Sequence, residues 1–398
     1  MNRSGLRKMA AGSMLALAAL GAAAQKSPRE FAVVGYVFPR GSLLAPGQID
    51  AHNLTRINYA FAAIEDGRLA AGSPLNAPNP GAPNPDAQNL DAQNLALLTS
   101  LRKQNPSLTV LVSVGGWLGS GAFSDVALSA QSRKVFVESA VDFLRRYDLD
   151  GLDVDWEYPG MPGSGHTFRP EDKRDFTLLL KDLRSRFDRE EKATGRSLIL
   201  TIAAAAFSDY LAHTEMKDVQ RYADTVNLMT YDYAMPSVDA ITSHNAPLFA
   251  DPAAPSQLSA DASIRAFELA GVPSRKILLG VPFFGRPWGQ VADRNHGLFQ
   301  PGKPAPGDFA PYSTIQQTML GHGFTRYWDD TASVPYLYSA DRQEFVSYED
   351  AESLAVKCAY IKTHKLGGAM FWQYLDDPSG ALVETMARAL GPSPGTSQ

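Results

Sequence analysis

Three carboxylic acids alternate with apolar residues in segment 150–157, whose sequence is DGLDVDWE. If this segment is an extended strand, the side chains of Asp153, Asp155 and Glu157 share one face. Repulsion between neighbouring carboxylates raises the pKa of at least one of them. A carboxyl group that stays protonated near neutral pH can act as a general acid. The spacing therefore indicates a proton donor with two supporting acids.

Two other interpretations of this segment are open at this point. Alternation of polar and apolar residues is also typical of an antiparallel strand with one face in solvent. A row of oxygen ligands could hold a hard cation such as Ca²⁺. Such sites usually bring a glycine-rich Asp/Asn loop or nearby His ligands, and neither flanks this segment. We therefore expect no metal ion here.

Size and charge restrict the class of protein. The chain has 398 residues, enough for one large domain or two ordinary ones. A basic start, an apolar run over residues 9–20 and three alanines at 22–24 are typical of a secretory signal. Removing residues 1–24 would remove three basic residues and change the formal charge from −5 to −8. We therefore expect a secreted protein, extracellular or periplasmic, that binds neither nucleic acid nor a membrane.

Cysteine usage adds one restriction. Cys358 is the only cysteine, so the chain cannot form an internal disulfide bond. We expect Cys358 to be a small buried residue of a helix. Nothing in the sequence predicts a partner subunit, and we expect a monomer.

Strand-like and helical patterns alternate along the chain. The clearest helical patterns cover residues 129–147, 171–190, 259–270 and 348–364. Eight mostly apolar runs are the strand candidates: residues 31–38, 56–64, 108–114, 151–156, 198–206, 225–231, 277–283 and 367–372. This alternation predicts a (β/α)8 TIM barrel. An open doubly wound sheet is the main alternative, but no glycine-rich nucleotide loop follows the first strand.

Two segments interrupt the pattern. Residues 76–95 contain short duplicated motifs; their Pro-rich half predicts a loop, and the rest predicts a helix that continues to Leu101. About 90 residues separate the last two strands, far more than one crossover helix needs. We therefore assign the signal peptide to 1–24, the catalytic barrel to 28–285 and 346–391, an α+β insertion lobe to 286–345, and a flexible tail to 392–398.

Further motifs stand where predicted strands end, the place at which a barrel carries its catalytic residues. They are SVGG at 113–116, MTYD at 229–232 and GAMFW at 368–372, in addition to Glu157 after the fourth strand. With DGLDVDWE, these motifs resemble the four signatures of the family 18 glycoside hydrolases, the chitinases. The order and spacing fit along essentially the whole chain after the signal. Residues 284–286, followed by the insertion, are similar to the lobe of the deep-cleft chitinases.

This resemblance implies a retaining mechanism in which the substrate supplies the nucleophile. Glu157 would protonate the glycosidic oxygen, and the N-acetyl oxygen of the −1 sugar would attack C1 to form an oxazolinium ion. Asp155 would hydrogen-bond the acetamido N–H, while Asp153 would lie behind Asp155 and share a proton with it. Glu157 would then activate water. No metal or organic cofactor is implied.

Four further residues would contact the −1 sugar. Tyr231 would donate its hydroxyl to the acetamido oxygen and fix the geometry of attack. Asp232 would hydrogen-bond the sugar or its acetamido group. Met229 would pack beside the N-acetyl group, and Trp372 would form an apolar floor under the ring.

The supporting positions come from other strands. Ser113 and Tyr36 would hydrogen-bond the carboxyl group of Asp153. Trp117 would be a stacking platform on the leaving-group side, and Phe61 would be barrel core at the rim of the −1 pocket.

Several roles stay open. Arg286 could reach a sugar hydroxyl or pair with an acid inside the lobe. His244 and Asn245 are interpreted as structural loop residues. The aromatic residues of the insertion could line the cleft, but we favour a place in the core of the lobe; these are Trp288, Trp328, Tyr336 and Tyr338.

The sequence departs from the family pattern at two places. After MTYD, many relatives carry a Gly and then a Trp that stacks on a leaving-group-side sugar, whereas residues 233–237 here read YAMPS. After Trp372, where an acid is common, this chain has Gln373. The first departure puts one sugar subsite in doubt; the core acids all stand.

The sequence thus predicts an endo-acting chitinase on chitin or chito-oligosaccharides. Rival interpretations are a chitinase-like lectin on the same barrel, an endo-β-N-acetylglucosaminidase acting on N-glycans, and a cell-wall hydrolase acting on peptidoglycan. The lectins usually lack the terminal acid, which is present here as Glu157. The N-glycan enzymes usually lack the insertion lobe.

Overall fold

A closed barrel of eight parallel strands forms the centre of the computed structural model, which describes residues 30–73, 86–307 and 309–391. The barrel closes because the first strand pairs with both the second and the eighth. In chain order, the barrel strands are Ala32–Val37, Arg56–Glu65, Thr109–Gly115, Gly151–Asp155, Ile199–Ala205, Thr225–Met229, Ile277–Pro282 and Gly368–Trp372. The predicted (β/α)8 barrel is confirmed. A short strand, Arg68–Ala70, pairs antiparallel with the end of the second strand.

The sixth strand shows the largest difference from its predicted end. It was expected to reach Tyr231 but stops at Met229. The hydroxyl of Thr230 donates to the carbonyl oxygen of Gly280 at 2.6 Å, and Asp232 takes a φ of 58°. The chain therefore turns out of the sheet here, toward the mouth of the barrel.

Helices cover the outside of the barrel. The α-helices are Ala87–Ser100, Phe123–Ala127, Ala130–Arg146, Asp172–Thr194, Ser208–Ala212, Met216–Val219, Ala260–Leu269, Tyr312–Thr318, Ala351–His364 and Ala381–Ala389. Short 3₁₀ turns lie at Ala51–Asn53, Leu101–Lys103, Ser120–Ala122, Ser274–Lys276, Asn295–Gly297 and Tyr374–Asp376. All four predicted helices are present, as is the helix expected to continue toward Leu101.

Capping residues explain where the helices begin and end. Ser129 accepts from the N–H of Ser132 at 3.1 Å, so the helix starts one residue later than predicted. Asp350 accepts from the N–H of Ser353 in the same way and shifts a predicted start at 348 to Ala351. The helix predicted over 171–190 continues to Thr194, where Gly195 takes a left-handed φ of 74°.

A second, mainly antiparallel sheet lies between the seventh and eighth barrel strands. Its strands are Phe284–Gly289, Lys303–Pro304, Ala310–Pro311, Thr325–Asp329, Val334–Ser339 and Glu344–Ser347. Buried residues of this sheet and its loops form a core of their own, with Trp288, Leu298, Tyr336, Tyr338 and Phe345 as its large members.

Three predicted segments lie outside the described residues: the signal at 1–24, most of the Pro-rich loop at 76–85 and the tail at 392–398. Cys358 is buried in the helix Ala351–His364, as expected. Within the described part of the chain, no helix combines the length and the apolar character needed to cross a bilayer.

Candidate active site

The carboxyl ends of the barrel strands open into a cavity of about 490 Å³. Two of the residues predicted for the site, Ser113 and Asp153, lie behind the cavity wall and are fully buried. The other predicted site residues line the cavity: Tyr36, Phe61, Trp117, Asp155, Glu157, Met229, Tyr231, Asp232, Arg286 and Trp372.

Asp153 is enclosed by hydrogen-bond donors from four strands. Its Oδ2 accepts from the hydroxyls of Tyr36 and Ser113, both at 2.8 Å, as expected. Its Oδ1 accepts from the hydroxyl of Thr201 at 2.5 Å and from Nδ2 of Asn227 at 3.1 Å. Burial raises the pKa of Asp153, and the hydroxyl donors oppose that rise. Four donors on two oxygens suit a carboxylate.

The proton sharing expected between Asp153 and Asp155 is not seen in this conformation. No hydrogen bond joins the two carboxyl groups in the described structure, because each oxygen of Asp153 already holds two donors. Oδ1 of Asp155 is buried without a partner among the described residues. Burial, with the charges of Glu157 and Asp153, raises the pKa of Asp155 well above its usual range. These directions favour Asp155 over Asp153 as the member of the pair that holds a proton.

Glu157 follows the end of the fourth strand and faces the cavity. Burial raises the pKa of Glu157 to about 7, the charge of Asp232 adds to that rise, and the hydrogen bond from the Tyr158 hydroxyl opposes it. Its backbone N–H donates to Oγ of Ser120 at 2.9 Å. A carboxyl group with this pKa is half protonated near neutral pH and suits general acid–base work.

The paired glycines Gly115 and Gly116 let the third strand approach the acids closely. A Cβ on Gly115 would lie 2.1 Å from the carbonyl oxygen of Asp155, and one on Gly116 would lie 2.6 Å from the ring of Phe61. Gly116 instead donates its N–H to the carbonyl oxygen of Asp155 at 2.8 Å. The glycines therefore fix the backbone that carries the catalytic candidates.

Asp232 is held by both the barrel and the lobe. Its Oδ1 accepts from Nε and Nη2 of Arg286 at 2.9 and 2.7 Å. Its N–H donates to Oδ1 of Asn245 at 2.9 Å, and Asn245 in turn donates its own N–H to Oγ of Ser347. Arg286 therefore pairs with an acid that follows the sixth strand, and it lines the cavity.

Tyr231 lines the cavity beside these acids. Burial raises the pKa of its hydroxyl well above the usual value, and the charges of Asp155, Asp232 and Glu157 add to the rise. The hydroxyl therefore stays a neutral donor across the range in which enzymes work.

Aromatic rings form the floor of the cavity. Trp372 stacks on Phe61 with 5.6 Å between ring centroids, and Tyr36 and Phe38 each lie 5.8 Å from Trp372. Such a packed, mostly apolar surface suits the face of a pyranose ring. Trp117 stands apart at another part of the wall, half exposed and 6.3 Å from Tyr158.

The aromatic residues of the insertion belong to the lobe. Trp288, Tyr336 and Tyr338 are buried in its core, as favoured above, and Trp328 packs under Arg326 at 5.5 Å. None of the four lines the cavity. His244 is a structural loop residue, as interpreted: its buried Nε2 lies 2.8 Å from Oδ2 of Asp329.

Both departures from the family pattern have a place in the structure. Met235 occupies the cavity wall in the segment where a tryptophan was expected from the resemblance. Gln373 is fully buried and donates to Oδ1 of Asp376 at 2.9 Å, so it supports the loop after the eighth strand.

Several residues of the site are not evident from the motifs. Tyr158 and Ser120 contact Glu157, while Thr201 and Asn227 contact Asp153. Thr201 and Asn227 are polar residues inside apolar strands, and that anomaly is the signal that could have identified them. Further apolar residues, from loops and from the first strand of the lobe, also line the cavity: Leu118, Phe207, Leu258, Phe284 and Phe309. No group of three His, Cys, Asp or Glu residues in the described structure is placed to hold a metal ion.

Comparisons with known proteins agree with this geometry. Residues 32–377 match the family model for glycosyl hydrolases family 18. Chitinase A1 of Niallia circulans is 43% identical over 316 residues, which make up 75% of this chain but only 45% of that protein. The chain therefore spans less than half of that relative's length.

Solved structures of the same family are also similar. A family 18 N-acetylglucosaminidase from Paenibacillus barengoltzii has a TM-score of 0.80 and 38% identity, over 90% of this chain and 99% of that one. The multi-modular chitinase ChiW from Paenibacillus sp. str. FPU-7 has a TM-score of 0.84 and 38% identity, over 91% of this chain and 33% of that one. Since the family model spans most of the residues, the chain belongs to family 18 of the glycosyl hydrolases.

Proposed function

We propose that this chain is a chitinase that hydrolyses β-1,4-linked N-acetylglucosamine polymers with retention at C1. One observation carries the proposal: two neighbouring carboxyl groups with raised pKa values, Asp155 and Glu157, face the same cavity. A protonated Asp155 is a poor nucleophile, so a carboxylate attack on the sugar is disfavoured and the substrate's own acetamido group is the better candidate. Chitinase A1, a relative with 43% identity, supports the choice of polymer.

The reaction would begin with proton transfer. Glu157 gives its proton to the glycosidic oxygen, and the C1–O bond breaks as the N-acetyl oxygen of the −1 sugar attacks C1. The oxazolinium ion that forms carries a positive charge beside Asp155, whose carboxyl group hydrogen-bonds the acetamido N–H. Glu157, now ionised, takes a proton from the incoming water. The water attacks C1 and opens the oxazolinium ring, which restores the acetamido group. The second displacement restores the original anomeric configuration.

Neighbouring side chains would fix the geometry of attack. The neutral hydroxyl of Tyr231 donates to the acetamido oxygen, and Asp232, anchored by Arg286, accepts from the −1 sugar. Asp153 stays behind Asp155 and tunes its charge. Positioning of this kind converts a bound N-acetyl group into a near-attack nucleophile.

Apolar residues would select the sugar. Trp372, stacked on Phe61, forms the floor under the −1 ring, and Met229 packs beside the N-acetyl methyl group. Trp117 is the stacking platform on the leaving-group side.

We also propose that the chain is exported and acts as a monomer on a neutral polymer, without a metal or organic cofactor. The basic, then apolar, character of residues 1–24 supports export. N-terminal sequencing of the protein recovered from the culture medium or periplasm tests this: a start near residue 25 is expected, and an intact Met1 there contradicts it.

The test of the reaction is Glu157→Gln, assayed on a chito-oligosaccharide of six sugars with anomers resolved by NMR. We expect the parent to release chitobiose with the β anomer first, and the variant to lose activity by about a thousandfold. A variant that matches the parent, or an initially inverted or mixed anomer, contradicts the mechanism.

The same product profile separates the rivals. Release of single sugars from the chain end would indicate N-acetylglucosaminidase action, the activity named for the Paenibacillus barengoltzii relative. Binding of the oligosaccharide without turnover would indicate a lectin. Release of glycan from a high-mannose glycoprotein would indicate action on N-glycans.

A further inference from the structure

A half-buried arginine lies at the far end of the barrel from the proposed active site. Arg56 is the first residue of the second strand, at the amino end of the barrel, and it is half-buried with Nε fully enclosed. Its Nη1 donates to Oγ1 of Thr225 at 3.0 Å. Thr225 opens the sixth strand, which lies on the opposite wall of the barrel. The guanidinium group therefore crosses the barrel interior.

Arg56 has no acidic partner in contact. No Asp or Glu oxygen lies within 4.0 Å of it in the part of the chain that the structure describes. Nε has no hydrogen-bond partner there either. Asp153 is the complementary case, a fully buried acid with only neutral donors around it. Each of these charges is costly to bury alone, and electrostatic attraction between them lowers the cost of keeping both groups charged.

A chain of hydrogen bonds connects the two charges. Thr225 accepts from Arg56 and donates its hydroxyl to Oδ1 of Asn227 at 3.3 Å. Nδ2 of Asn227 donates to Oδ1 of Asp153 at 3.1 Å and to the hydroxyl of Tyr36 at 3.0 Å. Tyr36 then donates to Oδ2 of Asp153 at 2.8 Å. Every donor points from the cation toward the acid, an arrangement in which each bond polarises the next.

We propose that Arg56 is a positioning residue for the active site, which holds Asp153 as a carboxylate through Thr225 and Asn227 and so leaves the proton on Asp155. This inference deepens the proposed function, on which it rests, and adds a residue that the reaction scheme does not use. Arg56 touches no substrate, since it does not line the cavity.

The charges around Asp153 agree with this assignment. The guanidinium of Arg56 lowers the pKa of Asp153 against the effect of burial, and the charge of Asp153 favours the charged form of Arg56. Asp224, before the sixth strand, also interacts with Arg56. The titratable groups that face Asp153 are Asp155 from its own strand, Tyr36 from the first strand, Arg56 from the second and Tyr231 after the sixth. Arg56 is the only cation in that set of described residues.

The test compares three variants. Arg56→Gln keeps a donor for Thr225 but removes the charge, whereas Arg56→Lys keeps the charge. Thr225→Val keeps the shape of the side chain but breaks the connection to Asn227. The control is Arg102→Gln, an arginine whose guanidinium pairs with Asp148 and Asp150. Circular dichroism and thermal melting first establish that each variant folds.

Two readouts follow. The first is the acid limb of kcat/KM against pH on a chito-oligosaccharide, because protonation of Asp153 as well as Asp155 removes the negative charge that offsets the positive oxazolinium ion. We expect Arg56→Gln to move this limb upward by about half a unit to one unit, a loss of about two- to fivefold at the parent's midpoint. Thr225→Val should move it less in the same direction, and Arg56→Lys and Arg102→Gln should leave it in place.

The second readout does not depend on activity. Carbon-13 labelling of aspartate carboxyl groups, with Asp153 assigned through Asp153→Asn, follows its titration by NMR. If the parent hydrolyses no chito-oligosaccharide, the proposed function fails, while this titration still decides the role of Arg56. An Asp153 signal that titrates identically in the parent and in Arg56→Gln overturns the inference. Should Arg56→Gln fail to fold, an unmoved signal in Thr225→Val overturns it instead.

Discussion

The two ends of the fourth barrel strand carry aspartates with opposite surroundings. Asp150, just before the strand, accepts from Nη2 of Arg102 at 2.6 Å, from Nη2 of Arg196 at 3.1 Å and from the N–H of Val110 at 2.8 Å. Among the described residues, Asp155, the last residue of the strand, forms no ion pair, and its buried Oδ1 has no hydrogen-bond partner.

This difference assigns a structural role to Asp150 and a chemical role to Asp155 within one motif. At the amino end of the barrel, two arginines compensate Asp150, and the cluster ties the strand to its neighbours. At the carboxyl end, burial and the charges of Glu157 and Asp153 raise the pKa of Asp155 and favour its protonated form. Barrel enzymes in general keep stability at the first end and catalysis at the second. Residues only a few positions apart can therefore be tested for opposite effects.

Of the two aspartates, Asp155 is expected to give the larger effect on catalysis, in the variant Asp155→Asn. We expect kcat to fall by about a hundred- to a thousandfold. An asparagine amide can neither exchange a proton with the neighbouring acids nor carry the negative charge that would stabilise the oxazolinium ion. Thermal stability should stay the same or rise, since a buried group with a raised pKa is removed. Steady-state kinetics and a melting curve are the measurements. A large loss of stability with unchanged kcat would show that Asp155 serves the fold and not the reaction.

The opposite effect is expected from Asp150→Asn. The amide loses the charge that pairs with Arg102 and Arg196, and we expect unfolding to become easier by about 2 kcal/mol, since the site is partly exposed. Chemical denaturation measures this loss, with kcat on a chito-oligosaccharide unchanged. A hundredfold loss of kcat with full stability would show that the amino end of the strand takes part in catalysis.

The same comparison explains what the sequence could predict. Motif order and the alternation of strands with helices were sufficient for the barrel. The motifs, together with residues on the predicted strands, identified ten residues that line the cavity. Spacing within one strand also placed Asp153 and Asp155 correctly on the inner face. These features are local, so a sequence read segment by segment contains them.

Contacts across the barrel could not be predicted from local sequence patterns. Arg56 and Thr225 are separated by 169 positions, and Asn227 meets Asp153 from 74 positions away. The missing Asp153–Asp155 hydrogen bond has the same origin, because donors from other strands saturate Asp153. The pairing of Arg286 with Asp232 was also unpredictable, since it depends on how the lobe meets the end of the sixth strand.

Stability against pH should also distinguish the two ends. In the folded chain the pKa of Glu157 is about 7, whereas an unfolded glutamate has a value of about 4.3. The folded state therefore binds more protons between these values, and the contribution is full below pH about 4.3 and is lost as the pH rises through 7. We expect the free energy of unfolding to fall over this window in the parent.

Denaturation curves at several pH values measure this slope. Glu157→Gln should flatten it, because the group that takes up the proton is gone, and Asp155→Asn should flatten it too. Asp150→Asn is the matched control and should keep the parent's slope at a lower overall stability. A slope that survives in Glu157→Gln would mean that another group titrates in this window.

The smallest expected effect is that of Tyr158→Phe. The Tyr158 hydroxyl donates to Glu157 and lowers its pKa against the effect of burial. Losing this bond favours the protonated form, so the basic limb of kcat/KM should move upward by about half a unit, with kcat at the optimum reduced only a few-fold. Tyr210→Phe is a suitable control, because that buried hydroxyl has no hydrogen-bond partner in the described structure. A basic limb that moves downward in Tyr158→Phe would show that the hydroxyl stabilises the protonated form of Glu157. The tyrosine would then raise the pKa of Glu157 instead of lowering it.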